Sequence, residues 1–325
     1  MLVALVAAAL LFDFLNGFHD SANVVATVIS SRALPPRAAL FLTAVAEFAG
    51  PFLFGVAVAT TVGKGLIDSA AISPAVVLGA VLAAIAWNMI TWFFGIPSSS
   101  SHALVGGLLG AAGIAGGLNV IQIAGLQKVL IALFISPLLG ALAGFLIMRL
   151  VLFLVTGAPP RVNRLFKRLQ IVTAAGLALS HGANDAQKTM GIITLGLVTA
   201  GALPTFTVPA WVIAASAGAI SLGTAFGGWR LIRTLGGRIY KIRPIHGFTA
   251  QTASGAVILA AALLGGPVST TQVVSSAIMG VGAAERLSKV RWSVAREMLV
   301  AWGLTIPITA GLAALAYLPI QRMSE

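Results

Sequence analysis

The sequence predicts an all-α integral membrane protein made of two inverted-topology repeats, each with a broken transmembrane helix and a re-entrant helical hairpin. The first observation behind this prediction is composition: 58% of the 325 residues are hydrophobic and only 9% are charged. A soluble domain carries about 25% charged residues. The second observation is a polar stretch that occurs twice, and the third is the placement of the basic clusters. These features together indicate a duplicated membrane protein.

The two polar stretches each lie inside a long apolar segment. Asn16-Gly-Phe-His-Asp-Ser-Ala-Asn23 interrupts the run of residues 2–30, and the stretch from Ser180 to Gly191 interrupts residues 171–200. Both runs exceed the length of about 20 residues that one perpendicular span needs, so we expect a helix break within each stretch. Charged side chains at membrane depth cost about 2.5–3.5 kcal/mol each on insertion scales, which makes them functional candidates.

The remaining segments follow the same order in both halves. A second span (residues 38–60 and 206–227) precedes a hairpin with a polar tip, and a last span follows (129–150 and 299–317). The tips are Pro97-Ser-Ser-Ser-Ser-His102, between apolar arms covering 72–117, and Pro267-Val-Ser-Thr-Thr-Gln272. We therefore divide the chain into a first repeat (1–156), a basic cytoplasmic linker (157–170) and a second repeat (171–325).

Charge decides the orientation of the second repeat. If each hairpin enters and leaves on one face, three crossings remain per half, so the second half is inverted. With both termini outside, the basic clusters then face the cytoplasm, as the positive-inside bias requires. These clusters are Arg161, Arg164, Lys167 and Arg168; Arg230, Arg233, Arg238, Lys241 and Arg243; and Arg286, Lys289, Arg291 and Arg296. We expect a multi-pass protein in contact with lipid.

Composition also excludes several other classes. The net charge of +12 does not indicate a nucleic-acid partner, because the basic residues cluster beside apolar segments. The sequence contains no cysteine, so neither a disulfide nor a thiolate metal site can form. The first apolar segment lacks a basic leading region and contains Asp13 and Asp20, so it is not predicted to be a cleaved signal peptide.

The two hairpin tips match position by position. The matched pairs are Ser99 with Ser269, Ser100 with Thr270, Ser101 with Thr271, and His102 with Gln272. Hydroxyls and backbone N–H groups at a helix N-terminus suit a tetrahedral oxyanion, because the helix dipole favours negative charge there. We assign these hydroxyls, with Ser98 and Gln187, to an oxyanion site. The alternative is that the hydroxyls only join helices.

The polar stretches supply candidates for cation coupling. Aligning Asp20 with Asp185 pairs His19 with Asn184 and Asn23 with Lys188. The carboxylates could bind a hard cation together with the Asn side chains, or cap a half-helix. Lys188 lies within i,i+3 reach of Asp185 and could replace a bound cation or titrate, which favours proton over sodium coupling. Supporting hydrogen-bonding or gating roles fall to four residues, His19, His102, His181 and Gln272, and no metal site or cofactor is expected.

These residues resemble the inorganic phosphate transporter (PiT) family of cation–phosphate symporters. The family signature Gly-Ala-Asn-Asp-Val-Ala-Asn-Ala matches Gly182-Ala-Asn-Asp185 and then departs from it at Ala186-Gln187-Lys188. The His-Gly-Ala-Asn-Asp-x-Gln-Lys form is similar to the bacterial low-affinity branch. The resemblance covers essentially the whole chain and implies transport of inorganic phosphate, or of metal–phosphate, with H⁺ or Na⁺. It also implies a homodimer in a bacterial-type inner membrane.

The expected function is therefore secondary active import of inorganic phosphate by symport with a cation, with H⁺ favoured over Na⁺. One alternative is a permease of the same fold for sulfate or another tetrahedral oxyanion. Sulfate at neutral pH lacks the O–H donor that phosphate offers to an acceptor such as Asp20. An intramembrane phosphatase using His19, Asp20, His181 and Asp185 is a rival from another class, and an open channel is a weaker one.

Overall fold

The computed structural model describes residues 1–68 and 72–322, and over these residues it contains twelve α-helices. The first half forms α1 (Leu2–Ser30), α2 (Pro36–Phe54), α3 (Ala57–Gly65), α4 (Pro74–Phe94), α5 (Ser100–Gly116) and α6 (Ile123–Leu154). The second half forms α7 (Val162–Thr199), α8 (Ala210–Phe226), α9 (Trp229–Arg233), α10 (Pro244–Leu263), α11 (Thr270–Glu285) and α12 (Trp292–Arg322). Among the described residues, five helices are long and apolar enough to cross a membrane, and α8 with α9 makes a sixth, bent span.

Each repeat contains a broken helix, but the breaks lie one helix later than predicted. α1 and α7 run unbroken through the polar stretches for 29 and 38 residues. The breaks fall instead at Gly55, between α2 and α3, and at Gly227, between α8 and α9, where the chain bends by 61°. Both glycines have positive φ (79° and 70°), a conformation that other residues rarely adopt.

The glycines of the polar stretches mark close packing rather than a break. A Cβ atom on Gly17 would lie 2.0 Å from the carbonyl oxygen of Ile220, and one on Gly182 would lie 2.2 Å from that of Glu47. Small residues allow helix backbones to approach in this way inside a membrane. The prediction of a helix break within each polar stretch is therefore wrong. The glycines of these stretches instead allow two helix backbones to approach closely. Residues 162–170, predicted as part of a linker, form the first turns of α7.

The two repeats are interlocked in a reciprocal manner. α1 packs against α8 of the other repeat, and α7 packs against α2. The first hairpin, α4–α5, packs against α12, and the second hairpin, α10–α11, packs against α6. Each repeat therefore provides the surface against which the other repeat's hairpin lies, as expected for two copies related by a pseudo-two-fold axis.

The bases of the two hairpins lie on opposite faces. Near the base of the first hairpin, Ile67 pairs with Ile121 in an isolated β-bridge. Near the base of the second, the backbone N–H of Arg291 donates to the carbonyl oxygen of Ile239 at 3.2 Å. Because α6, α7 and the α8–α9 pair cross between these points, the two contacts lie on opposite sides of the fold. This arrangement agrees with inverted repeats.

Two apolar cores flank the polar stretches. One surrounds the first hairpin and includes Leu5, Ala9 and Phe12 of α1; the other surrounds the second hairpin and includes Val24 and Val28 of α1. The polar stretch of α1 lies between these two sets of residues, where the cores meet. The polar side chains of both repeats are thus held at the centre of the molecule by apolar packing on either side.

Candidate functional site

The two hairpin tips meet each other at the centre of the fold. The Ser99 hydroxyl accepts a hydrogen bond from the His102 backbone N–H at 3.1 Å, and the Ser269 hydroxyl accepts one from that of Gln272 at 3.3 Å. Both serines are N-caps, of α5 and α11 respectively. The side chains of His102 and Gln272 approach to 3.5 Å. The predicted pairing of the tips is therefore visible as matched caps on two helices that begin near the same point.

The second tip contacts both carboxylates of the polar stretches. The hydroxyl of Thr270 lies 3.0 Å from Oδ2 of Asp185 and 3.3 Å from Oδ2 of Asp20. Thr271 lies 3.1 Å from both carboxylate oxygens of Asp20. A hydroxyl carries one proton, so Thr270 donates to only one of the two carboxylates at a time. The second tip is thus bound to α1 and α7 together.

Lys188 joins α7 to both tips. Its ammonium donates to Oδ1 of Asp185 at 2.6 Å, to the Ser101 hydroxyl at 2.7 Å and to the Val268 carbonyl oxygen at 2.8 Å. Three acceptors match the three N–H groups of an ammonium, and the side chain is only 3% exposed. Lys188 therefore does not extend to the surface; it places a fixed positive charge at the centre of the cluster.

Two buried histidines lie against the carboxylates. Nδ1 of His19 lies 2.6 Å from Oδ1 of Asp20. His181 contacts three acids: its Nδ1 lies 2.9 Å from Glu47, and its Nε2 lies 3.5 Å from Asp185 and 4.0 Å from Asp20. Sequence reasoning did not assign Glu47 to the site. An acid inside an apolar span was the available signal, because such residues rarely occur without a role.

One group of side chains could hold a cation. Asp20, His181 and Asp185 each offer one ligand atom, and these atoms lie within 4.8 Å of one another. Carboxylate oxygens suit hard cations, and imidazole adds a nitrogen ligand. Asp20 and Asp185 are the residues predicted to couple a cation, and the fold brings them together from different repeats.

The predicted asparagines hold the second hairpin. Asn23 donates to the Thr271 hydroxyl at 3.0 Å, and Asn184 donates to the carbonyl oxygen of Gly266 at 3.1 Å. The Oδ1 atom of Asn184 has no hydrogen-bond partner among the described residues. Both side chains therefore lie at the second tip, with one amide oxygen still able to accept a donor.

Two residues assigned to the oxyanion site have other hydrogen-bond partners in this structure. The Gln187 side-chain oxygen accepts hydrogen bonds from the backbone N–H groups of Val58 at 2.8 Å and Ala59 at 3.3 Å. These groups belong to the first turn of α3, so Gln187 satisfies donors that the break at Gly55 leaves free. The Ser98 hydroxyl donates to Thr91 at 2.7 Å, within its own hairpin.

A polar stripe on α1 extends the site beyond the predicted residues. Asp13, Asn16, Asp20 and Asn23 follow the i, i+3, i+7, i+10 spacing that places side chains on one helix face. Asn16 donates to Oδ2 of Asp185 at 3.4 Å. Asp13 entered the sequence reasoning only as an argument against a signal peptide. Its seven-residue spacing from Asp20 was the signal that could have identified it.

A separate charged cluster ties the base of the second hairpin. Glu285, at the end of α11, accepts from Arg243 at 2.6 Å, lies 2.8 Å from Nε2 of His246, and also pairs with Lys289. Burial by itself would raise the pKa of the Glu285 carboxyl, but Lys289, His246 and Arg243 outweigh it and lower the pKa to about 2. The carboxylate therefore stays charged and holds the ends of the two arms together.

Comparison with known proteins agrees with this architecture. A family model described as "Phosphate transporter family" matches the chain twice, over residues 16–159 and 155–313. The chain is 46% identical to a "Probable low-affinity inorganic phosphate transporter" of Bacillus subtilis (strain 168) over 319 residues, covering 97% of this chain and 96% of that protein. It is 47% identical over 319 residues to a protein of the same description from Rhizobium meliloti (strain 1021), covering 98% and 96%.

A solved structure shows the same fold. That protein is described as "The sodium-dependent phosphate transporter"; the match has a TM-score of 0.89 and 26% sequence identity, with 99% of each chain covered. The double match of the family model corresponds to the two interlocked repeats described above. This multi-pass membrane protein is therefore a member of the phosphate transporter family, a family of transporters rather than enzymes.

Proposed function

We propose that this protein imports inorganic phosphate by symport with a cation, with the proton favoured over sodium. The observation that carries the proposal is the meeting of two helix N-termini, at Ser99 and Ser269, beside a pair of carboxylates and a buried lysine. The descriptions of the Bacillus and Rhizobium relatives as inorganic phosphate transporters support phosphate as the substrate. The bacterial relatives also support a bacterial inner membrane; the outward-facing termini and a homodimer remain expectations from the sequence.

The tips supply the groups that a phosphate needs. The first backbone N–H groups of a helix have no intrahelical partner, and the dipole places partial positive charge there. α5 and α11 both begin at the centre, so two such ends can share one oxyanion. The neighbouring hydroxyls of Ser100, Ser101, Thr270 and Thr271 can donate to its oxygens, and Lys188 adds a full positive charge.

Transport requires the site to open, because it is closed in this structure. None of the tip hydroxyls from Ser98 to Ser101 and from Ser269 to Thr271 is more than 5% exposed. The hairpins enter from opposite faces, so moving one of them away from the centre opens the site to one side only. We therefore propose alternating access, in which each hairpin acts as the gate for its own face.

The position of Lys188 favours the proton over sodium as the coupling ion. Its ammonium lies 2.6 Å from Asp185, where it neutralises a carboxylate that a bound sodium ion would otherwise neutralise. The matching residue of the first repeat, Asn23, is an uncharged amide of the kind that binds sodium. Because the Lys188 ammonium is already paired with Asp185, the second repeat has less need for an imported metal ion. Sodium coupling is the alternative, because the related solved structure is described as sodium-dependent.

Two other substrates fit the same fold. Sulfate has the same shape as phosphate, but at neutral pH it carries no O–H donor. Phosphate retains one, and the acceptors Asp20 and Asp185 beside the tips can receive it. Metal–phosphate is the other candidate, because Asp20, His181 and Asp185 could contact the metal of such a complex.

The experiment that tests this function is radiolabelled phosphate uptake into proteoliposomes. Imposed proton and sodium gradients are compared in separate vesicles, with sulfate as a competitor. We expect accumulation driven by the proton gradient and little competition by sulfate. Absence of phosphate uptake under both gradients would contradict the proposed function, and strong competition by sulfate would favour the general oxyanion permease.

The matched variant Lys188→Asn tests the coupling ion. It gives the second repeat the residue that Asn23 provides in the first. We expect the pH profile of uptake to change and a sodium requirement to appear. A pH profile, sodium response and rate that all equal those of the wild type would show that Lys188 has no part in coupling.

A further inference from the structure

We propose that Asp13 is the residue that carries the coupled proton, at a site separate from the phosphate-binding tips. This inference rests on the proposed function, namely phosphate import with proton coupling. It assigns the proton to one carboxyl group on the first repeat, on the α1 stripe two helical turns before Asp20. The pair Asp20 and Asp185 is then left to orient the hairpin and the substrate.

Asp13 is fully buried, with an exposed fraction of 0%, and its carboxylate forms no hydrogen bond or ion pair among the residues that the structure describes. The Thr189 side chain faces it from α7, and the Thr189 hydroxyl also lacks a formed hydrogen bond. An ionised carboxylate in such surroundings is costly, whereas a protonated one is not. The site therefore binds a proton without any change in packing.

The charged groups around Asp13 lie on α7. Asp185 opposes a charge on Asp13, while Lys188 and His181 favour it. The helices α4 and α8, which also pack against α1, contain no charged side chain. Glu47 of α2 is paired with His181 at 2.9 Å. The proton on Asp13 is thus sensitive to the state of the Asp185–Lys188 pair, which is the pair that contacts the tips.

The backbone around Asp13 favours a proton over a metal ion. Sodium sites in transporters commonly use backbone carbonyls that an unwound helix sets free. α1 and α7 are continuous here, so their carbonyl oxygens are engaged in helical hydrogen bonds. The local oxygen ligands are then the Asp13 carboxylate, the Thr189 hydroxyl and the free Oδ1 of Asn16. These three groups are few ligands for a metal ion, whereas one carboxylate is enough to bind a proton.

Asn16 connects this carboxyl group to the phosphate site. It lies between Asp13 and Asp20 on the same face of α1, and its Nδ2 donates to Oδ2 of Asp185 at 3.4 Å. In the transport cycle, the ionised Asp13 takes up one proton from the outer side and becomes a neutral acid. With the charge on Asp13 gone, one anion fewer competes with phosphate for the positive field of Lys188. When the inner gate opens and phosphate leaves, Asp13 releases the proton to the cytoplasm.

The test is Asp13→Asn in proteoliposomes, with Glu297→Gln as the matched control. Asn imitates the protonated acid, and Glu297 is a 63% exposed acid on α12. A gradient of one pH unit corresponds to about tenfold phosphate accumulation per coupled proton. We expect Asp13→Asn to lose this accumulation and its pH dependence but to continue exchanging internal for external phosphate. The control should accumulate phosphate like the wild type.

The outcomes separate the two proposals. A wild-type protein that does not accumulate phosphate overturns the proposed function. A wild-type protein that accumulates phosphate with the proton gradient, beside an Asp13→Asn variant that does so equally well, overturns only the role of Asp13. Should Asp13→Asn fail to fold, Asp13→Glu decides, because a longer acid should keep accumulation and move its pH midpoint. An unmoved midpoint would contradict the inference.

A spectroscopic measurement supplies an independent readout. Infrared difference spectra of the purified protein, taken as the pH falls, should contain a protonated carboxyl band that is present in the wild type and missing in Asp13→Asn. The band should shift when phosphate is added, because phosphate alters the Asp185–Lys188 pair. A spectrum that is the same in both proteins would show that Asp13 does not take up the proton.

Discussion

The two repeats share their backbone framework but not all of their charges. Where helices cross closely, glycine occupies both copies: Gly50 of α2 lies against Leu179 of α7, and Gly223 of α8 lies against Phe14 of α1. Ser99 and Ser269 cap the two tip helices in the same way. The framework is therefore a true duplication, because the same contacts hold both halves.

The charged residues break this symmetry. Lys188 corresponds to Asn23, and Asp13 corresponds to Ala178 when Asp20 is aligned with Asp185. Glu47, whose backbone meets Gly182, corresponds to Ile220, whose backbone meets Gly17. Asp20 and Asp185 are the charged pair that both repeats keep, whereas Lys188, Asp13 and Glu47 each occur in one repeat only. The framework is thus symmetric, whereas the charges around the tips are only partly so.

The largest effect concerns the orientation of the two repeats. The sequence contains no cysteine, so a single introduced cysteine is the protein's only thiol. Its labelling therefore reports on which side of the membrane it lies. Gly237→Cys and Ser288→Cys, both exposed, should resist an impermeant thiol reagent in intact cells, whereas Asn119→Cys should react fully. Gly237 is preferable to Gly236, because a Cβ atom on Gly236 would meet Ser30 at 2.2 Å. Labelling of Gly237→Cys from outside would contradict the predicted orientation.

The next effect tests whether the two carboxylates are equivalent. Asp20→Asn and Asp185→Asn should both abolish gradient-driven phosphate accumulation, because each removes a charge beside the second tip. Only Asp185→Asn should also lower the thermal stability, because it leaves Lys188 as an unpaired buried charge, at a cost of about 3–5 kcal/mol. Uptake in proteoliposomes and unfolding in detergent measure the two effects.

Adding Lys188→Asn to Asp185→Asn is the control for this pair. The double variant should recover stability without recovering accumulation. Wild-type accumulation in both single variants would show that neither carboxylate is needed at the phosphate site. Equal thermal stability of the Asp20→Asn and Asp185→Asn variants would show that Lys188 does not depend on Asp185 as its counterion.

A smaller effect compares the two tips. Ser100→Ala and Thr270→Ala should each weaken phosphate binding by about tenfold to a hundredfold, the cost of about 1.5–3 kcal/mol for one hydrogen bond to a charged group. Equilibrium binding of radiolabelled phosphate to purified protein measures this loss. If both variants bind phosphate like the wild type, these hydroxyls only join helices.

The smallest effect concerns the shared framework. Gly50→Ala and Gly223→Ala would place a Cβ atom 2.4 Å and 1.9 Å from backbone carbonyl oxygens, so each should destabilise the fold by about 1–3 kcal/mol. The controls are Gly176→Ala and Gly218→Ala, where the added Cβ has nothing within 4 Å. Thermal unfolding in detergent should separate the two sets. Equal melting temperatures throughout would contradict the packing role of the glycines.

The sequence by itself determined the class, the duplication and the matched tips. Hydrophobicity, helix length and the spacing of Ser and Thr after Pro97 and Pro267 are local properties, and they are visible without a fold. The i,i+3 reach from Asp185 to Lys188 is also local, since both lie on one helix. These predictions were confirmed because they depended only on the chain's own geometry.

Only the tertiary structure decided what lies opposite each residue. The polar stretches predict helix breaks, but their glycines Gly17 and Gly182 pack against Ile220 and Glu47 within continuous helices. Gln187 is predicted to be an anion ligand, and in this structure its side-chain oxygen accepts hydrogen bonds from the N–H groups that the break after α2 leaves free. The isolation of Asp13 depends likewise on which helices surround α1. Contacts between distant helices are set by how the two halves pack together, and no local pattern in the sequence encodes that packing.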